Sequence, residues 1–313
     1  MEDVMKKTTL VHSYVAKHWY NFTERVALAI LFRRPNGVDL KKDIPYGAKK
    51  HEIFDFMRPK NDGKKLPLLI YVHGGGWISG VKNMRRTYLY EYARKGVAVA
   101  NVDYDYTPKI TWREQLQQVL SAVDFLYDNA HRFNFDKSRV AVAGESAGVY
   151  FGMMLCVLSE HSELLDELGV VFRHHAEFKS KVNVFNCGAY DLKALSTSKF
   201  PDMKLMVECF AGVPAKEIAV GKHDEFVKKL SPVHLLDNGF PPTFILYGER
   251  DKLQSESFAL KEKLDAAGVE NVLYKCSGLL YGNHAFAVST VTKTGKNILS
   301  DTQKFFFKYL VRR

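Results

Sequence analysis

The feature that most constrains the fold of this 313-residue chain is the stretch Gly144-Glu145-Ser146-Ala147-Gly148, which directly follows the β-prone residues 140–143. A helix-like segment comes next. A strand, a tight turn and a helix in this order leave a serine exposed at the carboxyl end of a sheet strand. The two glycines leave room for a strained turn and for close packing of helix against strand. The stretch therefore predicts a sheet with helices packed against it, and it makes Ser146 a candidate nucleophile.

Strand-like and helix-like segments alternate along the rest of the chain. The β-prone segments lie at 51–57, 66–72, 97–102, 140–143, 181–185, 243–247 and 271–275. Apolar spacing predicts helices at 112–130, after the serine turn, around Leu260 and Leu264, and at the C terminus, where Ser300 would cap a helix carrying Phe305, Phe306 and Leu310. Continuous apolar runs are typical of buried parallel strands, whereas 51–57 alternates like an edge strand. The predicted fold class is α/β, with a mostly parallel central sheet and helices on both faces.

Two segments interrupt this alternation. Residues 1–40 form a predicted N-terminal cap segment, and residues 192–238 form a predicted helical cap insertion in a catalytic domain that spans 41–313. Ligands of open α/β sheets bind at the carboxyl ends of the strands. We therefore favour a small helical cap that lies over this edge as a lid. The alternative is a peripheral helical excursion without contact to a substrate.

A serine hydroxyl needs a base to remove its proton, and that base needs a carboxylate to orient it. Among eleven histidines, His284 stands out because it lies in a turn-like loop after the last predicted strand. That loop is at the sheet edge that carries Ser146. Asp251 follows the strand at 243–247 and reaches the same edge, and Glu249 competes with it for the orienting role.

A glycine-rich segment supplies the remaining candidates. Residues 73–77 read His-Gly-Gly-Gly-Trp and directly follow the second predicted strand. Glycines allow backbone N–H groups to turn into a site, where two of them and the N–H of Ala147 would stabilise a tetrahedral oxyanion. The sequence leaves open which two of Gly74, Gly75 and Gly76 contribute. The chain order of glycine loop, serine, acid and histidine is that of an α/β-hydrolase.

These residues resemble the hormone-sensitive-lipase-like esterase group of the α/β-hydrolase fold. The resemblance spans about residues 44–313, and its carriers are His73-Gly74-Gly75-Gly76-Trp77, Gly144-Glu145-Ser146-Ala147-Gly148, Gly248-Glu249-Arg250-Asp251 and Asn283-His284-Ala285-Phe286. Segments 46–59 and 80–82 are similar to the branch of kynurenine formamidases and prenylcysteine methylesterases. The resemblance is highly specific for the superfamily and much less specific for the substrate.

The resemblance also implies a role for each candidate residue. Ser146 would be the nucleophile, His284 the general base and then acid, and Asp251, rather than Glu249, the orienting acid. Ala147 and two of the loop glycines would form the oxyanion hole, and His73 would hold the loop. Bulky residues at 149–151 depart from the small residues of the family, and they either pack the helix tightly or narrow an acyl pocket.

The charge and the cysteine content of the chain limit which partners, metals and cofactors we expect. The formal net charge is +10, but the basic residues are scattered and form no stripe interleaved with aromatics, which argues against nucleic-acid binding. None of the four cysteines has a metal-ligand spacing, so we expect reduced thiols and no metal. The sequence also has no Rossmann glycine fingerprint and no P-loop, so we expect no cofactor. The start of the chain lacks the apolar stretch of a signal peptide, which predicts a cytoplasmic protein without stable membrane insertion.

Three functions follow as alternatives from these residues. The first is a serine carboxylesterase that hydrolyses small to medium acyl esters through an acyl-enzyme. The second is an arylformamidase that uses the same triad on N-formyl-kynurenine. The third is a catalytically inactive binding protein on the same fold. The expected partner is thus a small-molecule acyl ester or amide, and a homodimer is compatible with the sequence.

Overall fold

The structure is a computed structural model that describes residues 36–60 and 63–310. Its strands are β1 Val38–Pro45, β2 Ile53–Pro59, β3 Leu66–Val72, β4 Ala98–Val102, β5 Phe135–Glu145, β6 Ser180–Asn186, β7 Thr243–Gly248 and β8 Asn271–Cys276. They form one sheet in the order β1-β2-β4-β3-β5-β6-β7-β8. The pairs β1–β2 and β2–β4 are antiparallel, and all the other neighbours are parallel. The carboxyl ends of the parallel strands therefore share one edge.

Helices connect these strands and cover the sheet. They are α1 Arg86–Ala93, α2 Trp112–Asp128, α3 Ala130–Phe133, α4 Ala147–Glu160, α5 Glu163–Leu168, α6 Leu192–Ser196, α7 Met203–Ala211, α8 Ala215–Ala219, α9 Asp224–Lys229, α10 Gln254–Ala266 and α11 Lys293–Leu310. Short 3-10 helices lie at Lys82–Arg85, Pro232–His234 and Phe286–Val288. Within the described ranges, no helix combines the length and the apolar character that crossing a membrane requires.

The core lies on both faces of the sheet because its central strands are buried on both sides. Every residue of β3 and β4 is buried. Alternate residues of β3 enter two separate apolar clusters, Leu68 and Ile70 on one face and Leu69 on the other. Residues of α2, α4 and α10 join the first cluster, and residues of α1 and α11 join the second. The predicted two-sided covering of the sheet is thus observed.

Strand β1 was not predicted, and it changes the position of its neighbour. The segment at 51–57, expected as an edge strand, is β2 and pairs with β1 on one side and β4 on the other. Five of the eight β1 residues are exposed, so the strand has little apolar signal to reveal it. The predicted boundary between residues 40 and 41 falls inside β1. Residues 1–35 of the predicted N-terminal cap segment lie outside the described residues.

The C-terminal helix also begins earlier than predicted. Ser300 lies in the interior of α11, which begins at Lys293, so it is not the cap of this helix. The additional turns are held by packing, since Ile298 and Leu299 are buried in the second cluster together with Phe306. The predicted apolar face of the helix is observed.

The predicted helical insertion at 192–238 contains α6 to α9 and lies between β6 and β7. Its helix α7 contacts the segment that follows β3. The ring of Phe210 stacks on Trp77 with centroids 4.6 Å apart, and it meets Tyr150 of α4 edge-on at 5.0 Å. These aromatic contacts attach α7 at the carboxyl ends of the strands.

Candidate active site

Ser146 occupies the sharp turn between β5 and α4. Its φ and ψ are 51° and −125°, a backbone conformation that costs a non-glycine residue about 1–3 kcal/mol. The N–H of Ser146 donates to the carbonyl of Asn186 at 3.0 Å, which helps to hold the turn. A Cβ atom on Gly148 would lie 2.1 Å from the carbonyl oxygen of Val72, so only glycine allows α4 to approach β3 this closely. The turn expected from the sequence is therefore present.

Asp251 and His284 form the predicted pair. His284 Nδ1 lies 2.9 Å from Asp251 Oδ2, and the N–H of Leu253 donates to Asp251 Oδ1 at 2.9 Å. Burial alone would raise the pKa of the Asp251 carboxyl. The hydrogen bond and the charge of His284, together with hydrogen bonds from Leu253 and Cys187, outweigh burial and lower this pKa. An ionised Asp251 fixes the orientation of the imidazole and favours its protonated form.

The competing carboxylate, Glu249, is engaged elsewhere. It accepts a hydrogen bond of 2.7 Å from the N–H of Gly278 and forms an ion pair of 3.2 Å with Lys275. Among the described residues, Asp251 accepts a hydrogen bond from the His284 ring and Glu249 does not. The geometry therefore agrees with Asp251 as the partner of the histidine.

Cys187 lies behind this pair and was not singled out from the sequence. The donor atoms of Cys187, Asp251 and His284 all lie within 4.8 Å of one another. Burial and the charge of Asp251 raise the pKa of the Cys187 thiol well above its ordinary value. The three residues already contact one another, since both His284 and Cys187 hydrogen-bond to the Asp251 carboxylate.

The glycine loop at 73–77 is held by its first residue. His73 is buried, with Nδ1 2.7 Å from the carbonyl of Gly74 and Nε2 3.0 Å from Asp103 Oδ1. Its ring stacks on Tyr104 at 4.5 Å. Both ring nitrogens are thus occupied, as expected of a residue that shapes the loop.

The three glycines differ in what their N–H groups bind. The N–H of Gly74 donates to Glu145 Oε1 at 3.1 Å. Within the described residues, the N–H groups of Gly75 and Gly76 have no such acceptor. Gly75 has a φ of +128°, and a Cβ atom there would lie 2.2 Å from the carbonyl oxygen of Ser79. The loop thus requires glycine at position 75. The N–H groups of Gly75 and Gly76, unlike that of Gly74, remain available to donate to a bound ligand.

Ser146, His284 and the glycine loop line one cavity of about 340 Å³. Its apolar side comes from the insertion and from the histidine loop, through Phe200, Met203, Met206 and Phe286. The position of these residues in the cavity wall was not predicted from the sequence. The described residues show no hydrogen bond between the hydroxyl of Ser146 and His284. The ring of Phe200 lies 4.7 Å from the His284 ring.

The bulky residues after the serine turn are part of the core. Val149, Tyr150 and Phe151 are fully buried in the first cluster and do not line the cavity. Tyr150 packs edge-on against Trp77 at 5.9 Å. Of the two interpretations offered by the sequence, tight packing of the helix is the one observed.

Comparison with known proteins places these features in a family. The BD-FAE family model matches residues 54–264, well over half of the chain. Esterase LipC of Mycobacterium tuberculosis (strain ATCC 25618 / H37Rv) is 25% identical over 261 residues, which cover 82% of this chain and 62% of LipC. Isoprenylcysteine alpha-carbonyl methylesterase ICME of Arabidopsis thaliana is 24% identical over 242 residues, which cover 76% of this chain and 56% of that protein. The alignments thus span less than two thirds of these relatives.

A solved structure supports the same assignment of the fold. Esterase B from Lactobacillus Rhamnosis (HN001) matches with a TM-score of 0.84 at 21% identity, covering 99% of this chain and 97% of that chain. The predicted α/β-hydrolase fold is confirmed, and so is the resemblance to esterases and to a prenylcysteine methylesterase. The chain therefore belongs to the BD-FAE family of the α/β-hydrolase fold.

Proposed function

We propose that this chain is a serine carboxylesterase that hydrolyses small to medium acyl esters. The observation that carries the proposal is the 2.9 Å hydrogen bond between Asp251 and His284. His284 lines the same cavity as Ser146 and the glycine loop. An esterase and a methylesterase among the relatives support this class of reaction.

In the first half of the reaction, His284 removes the proton of the Ser146 hydroxyl as its oxygen attacks the ester carbonyl carbon. The carbonyl π bond breaks, and its electron pair moves to the oxygen. When the intermediate collapses, the C–O bond to the alcohol breaks and His284 gives its proton to the leaving alkoxide. Asp251 stays ionised and stabilises the imidazolium. Water then attacks the acyl-enzyme in the same way and releases the acid.

The negative oxygen of each tetrahedral intermediate needs hydrogen-bond donors. Because the N–H of Gly74 is bound to Glu145, we assign the oxyanion hole to the N–H groups of Gly75, Gly76 and Ala147. This narrows the choice among the three loop glycines to two.

The cavity suggests the size of the acyl group. About 340 Å³ with Phe200, Met203 and Met206 on one side suits a short to medium apolar chain. We therefore propose that the insertion at 192–238 acts as a cap over the site. The cap role of residues 1–40 stays a prediction.

The experiment that tests this proposal compares kcat/KM for acetyl, butyryl and octanoyl nitrophenyl esters, with Ser146→Ala as the matched control. We expect turnover with an optimum in acyl length. Turnover should fall by about 10⁴- to 10⁶-fold in Ser146→Ala, because the nucleophile is lost while the fold is kept. An equal rate in the variant would overturn the proposal.

The alternatives from the sequence are separated in the same assay. N-formyl-kynurenine is measured beside the esters, because an arylformamidase would use the same triad. A higher kcat/KM for this amide than for all three esters would favour the arylformamidase over the carboxylesterase. If the folded protein turned over none of these substrates, the catalytically inactive binding protein would be favoured. A cytoplasmic location and a homodimer stay predictions.

A further inference from the structure

The carboxylate of Glu145 lies between the glycine loop and a cation. It is 3% exposed. Its Oε1 accepts hydrogen bonds from the N–H of Gly74 at 3.1 Å and from Nε of Arg85 at 2.8 Å, and its Oε2 accepts one from the hydroxyl of Tyr71. Three donors thus converge on one buried carboxylate.

The three donors to Glu145 come from different parts of the chain around the active site. Glu145 ends β5 and immediately precedes Ser146, whereas Tyr71 belongs to β3 and Gly74 follows the end of that strand. Arg85 comes from the short helix beyond the glycine loop. A single side chain therefore joins the serine turn, the strand before the loop and the segment after it.

The loop and the turn are also in direct contact at this point. A Cβ atom on Gly74 would lie 2.7 Å from the carbonyl oxygen of Glu145 and 3.0 Å from Cβ of Ser146. Gly74 is thus packed against the Glu145–Ser146 turn, and its peptide N–H is bound by the Glu145 carboxylate. A small rotation of this peptide would redirect the N–H groups of Gly75 and Gly76 that follow it.

Charge is the second element of the arrangement. A bare carboxylate next to the nucleophile would oppose the negative charge that develops on the substrate oxygen. The Arg85 side chain is only 17% exposed and pairs with Glu145 at the wall of the cavity, so the two opposite charges offset each other beside Ser146. Such charge-assisted hydrogen bonds are stronger and better oriented than neutral ones.

We propose that Glu145 is a positioning residue, whose carboxylate, held by Arg85, fixes the Gly74 peptide and thereby aims the oxyanion donors of Gly75 and Gly76. The proposal rests on the function proposed above, since it assigns how that site is aligned. It gives a role to the residue before the nucleophile that the serine motif itself leaves unspecified.

The test is Glu145→Gln, which keeps the shape but removes the charge and turns one acceptor into a donor. We expect kcat to fall about 10- to 100-fold with KM within about threefold, because a misaligned oxyanion hole weakens binding of the transition state and not of the substrate. Acylation and deacylation, separated by pre-steady-state kinetics, should slow by similar factors because both pass through the same hole. A role confined to folding would not link these two steps.

A fluorophosphonate probe extends the test beyond ester substrates. His284 takes the proton of the Ser146 hydroxyl as the serine oxygen bonds to phosphorus. The P–F bond breaks and fluoride leaves, while the phosphoryl oxygen accepts hydrogen bonds from the oxyanion donors. We expect Glu145→Gln to be labelled about 10- to 100-fold more slowly than the unaltered protein. If the unaltered protein is labelled but hydrolyses no ester, the esterase proposal fails while the positioning role is still measured.

Two further variants complete the design. Arg85→Met removes the guanidinium and should lower kcat, and the loss in the double variant with Glu145→Gln should be less than the product of the single losses, because both act on one peptide. Asp124→Asn is the matched control, since Asp124 is also buried and binds backbone N–H groups, at Arg173 and His174, away from the cavity. It should leave kcat unchanged.

Three results would overturn the proposal. One is an unchanged kcat and labelling rate in folded Glu145→Gln. Another is a rise in KM with constant kcat, which would mean contact with the substrate. The third is an equal loss of kcat in Asp124→Asn. If Glu145→Gln does not fold, Arg85→Met decides, because an unchanged labelling rate there contradicts the role of the pair.

Discussion

At the residue scale, the site consists of short contacts between side chains that are distant in sequence. Asp251 and His284 are separated by 33 residues and Glu145 and Arg85 by 60, yet each pair is within hydrogen-bond distance. That Ser146, Asp251 and His284 lie at one sheet edge could be predicted, because each belongs to a turn or loop that follows a recognisable strand. The contacts of Glu145 and Cys187 could not, because neither residue has a local pattern that identifies its distant partner.

The choice of the acid makes the first prediction. Asp251→Asn should lower kcat by about 10⁴-fold, because the amide no longer holds the imidazole in the required tautomer. Glu249→Gln is the matched control and should keep kcat within a few-fold, since Glu249 binds Gly278 and Lys275 instead. Steady-state kinetics on the preferred nitrophenyl ester measure both variants. A larger loss in Glu249→Gln than in Asp251→Asn would reverse the assignment.

At the scale of elements, strands with continuous apolar sequence were predicted within a few residues, and the exposed strand was not. β3 is buried along its whole length, and its bounds match the apolar run at 66–72 from which it was predicted. β1 carries charged residues and was not predicted. The order of strands in the sheet depends on pairing between distant segments, so local patterns could not supply it. The start of α11 was misplaced because burial, and not a capping residue, extends that helix.

Helix α7 makes a prediction about acyl length. Met206→Ala removes a flexible side chain from the cavity wall and should raise the ratio of octanoyl to butyryl kcat/KM by about tenfold or more, given about 1–3 kcal/mol for each methylene accommodated. Met154→Ala is the matched control, because Met154 is buried in α4 away from the cavity. It should cost about 2–5 kcal/mol of unfolding free energy and leave the ratio unchanged. An unaltered ratio in Met206→Ala would contradict the assigned acyl site.

Helix α10 makes a prediction about pH. Glu256 in its first turn accepts hydrogen bonds from the N–H groups of Tyr190 and Asp191, just before the insertion. Burial raises the pKa of Glu256 to about 7, although these N–H groups lower it. Because the folded state holds this proton more tightly than the unfolded chain, the free energy of unfolding should fall as pH rises from the ordinary glutamate range through about 7.

Glu256→Gln tests this linkage, because the amide oxygen still accepts both N–H groups and does not ionise. Over that pH range the variant should lose less stability than the unaltered protein, by up to about 3 kcal/mol. Chemical denaturation at several pH values measures the difference. Parallel pH profiles for the two proteins would mean that Glu256 titrates normally.

At the scale of the whole molecule, the fold collects residues from the entire described chain at one sheet edge. The cavity is lined by the loop after β3, the turn after β5, the insertion between β6 and β7, and the loop after β8. The fold class could be predicted because strands alternate with helices and the serine turn requires both. The cavity wall could not, because it depends on how α7 packs through Phe210 against Trp77.

In the proposed reaction, the acyl group passes through Ser146. The most direct measurement is mass spectrometry of the protein quenched in acid during turnover of a slowly deacylating nitrophenyl ester, followed by peptide mapping. We expect one added acyl group on the peptide that contains Ser146, and none in Ser146→Ala. Ester turnover without any acylated peptide, or with the acyl group on another residue, would contradict it.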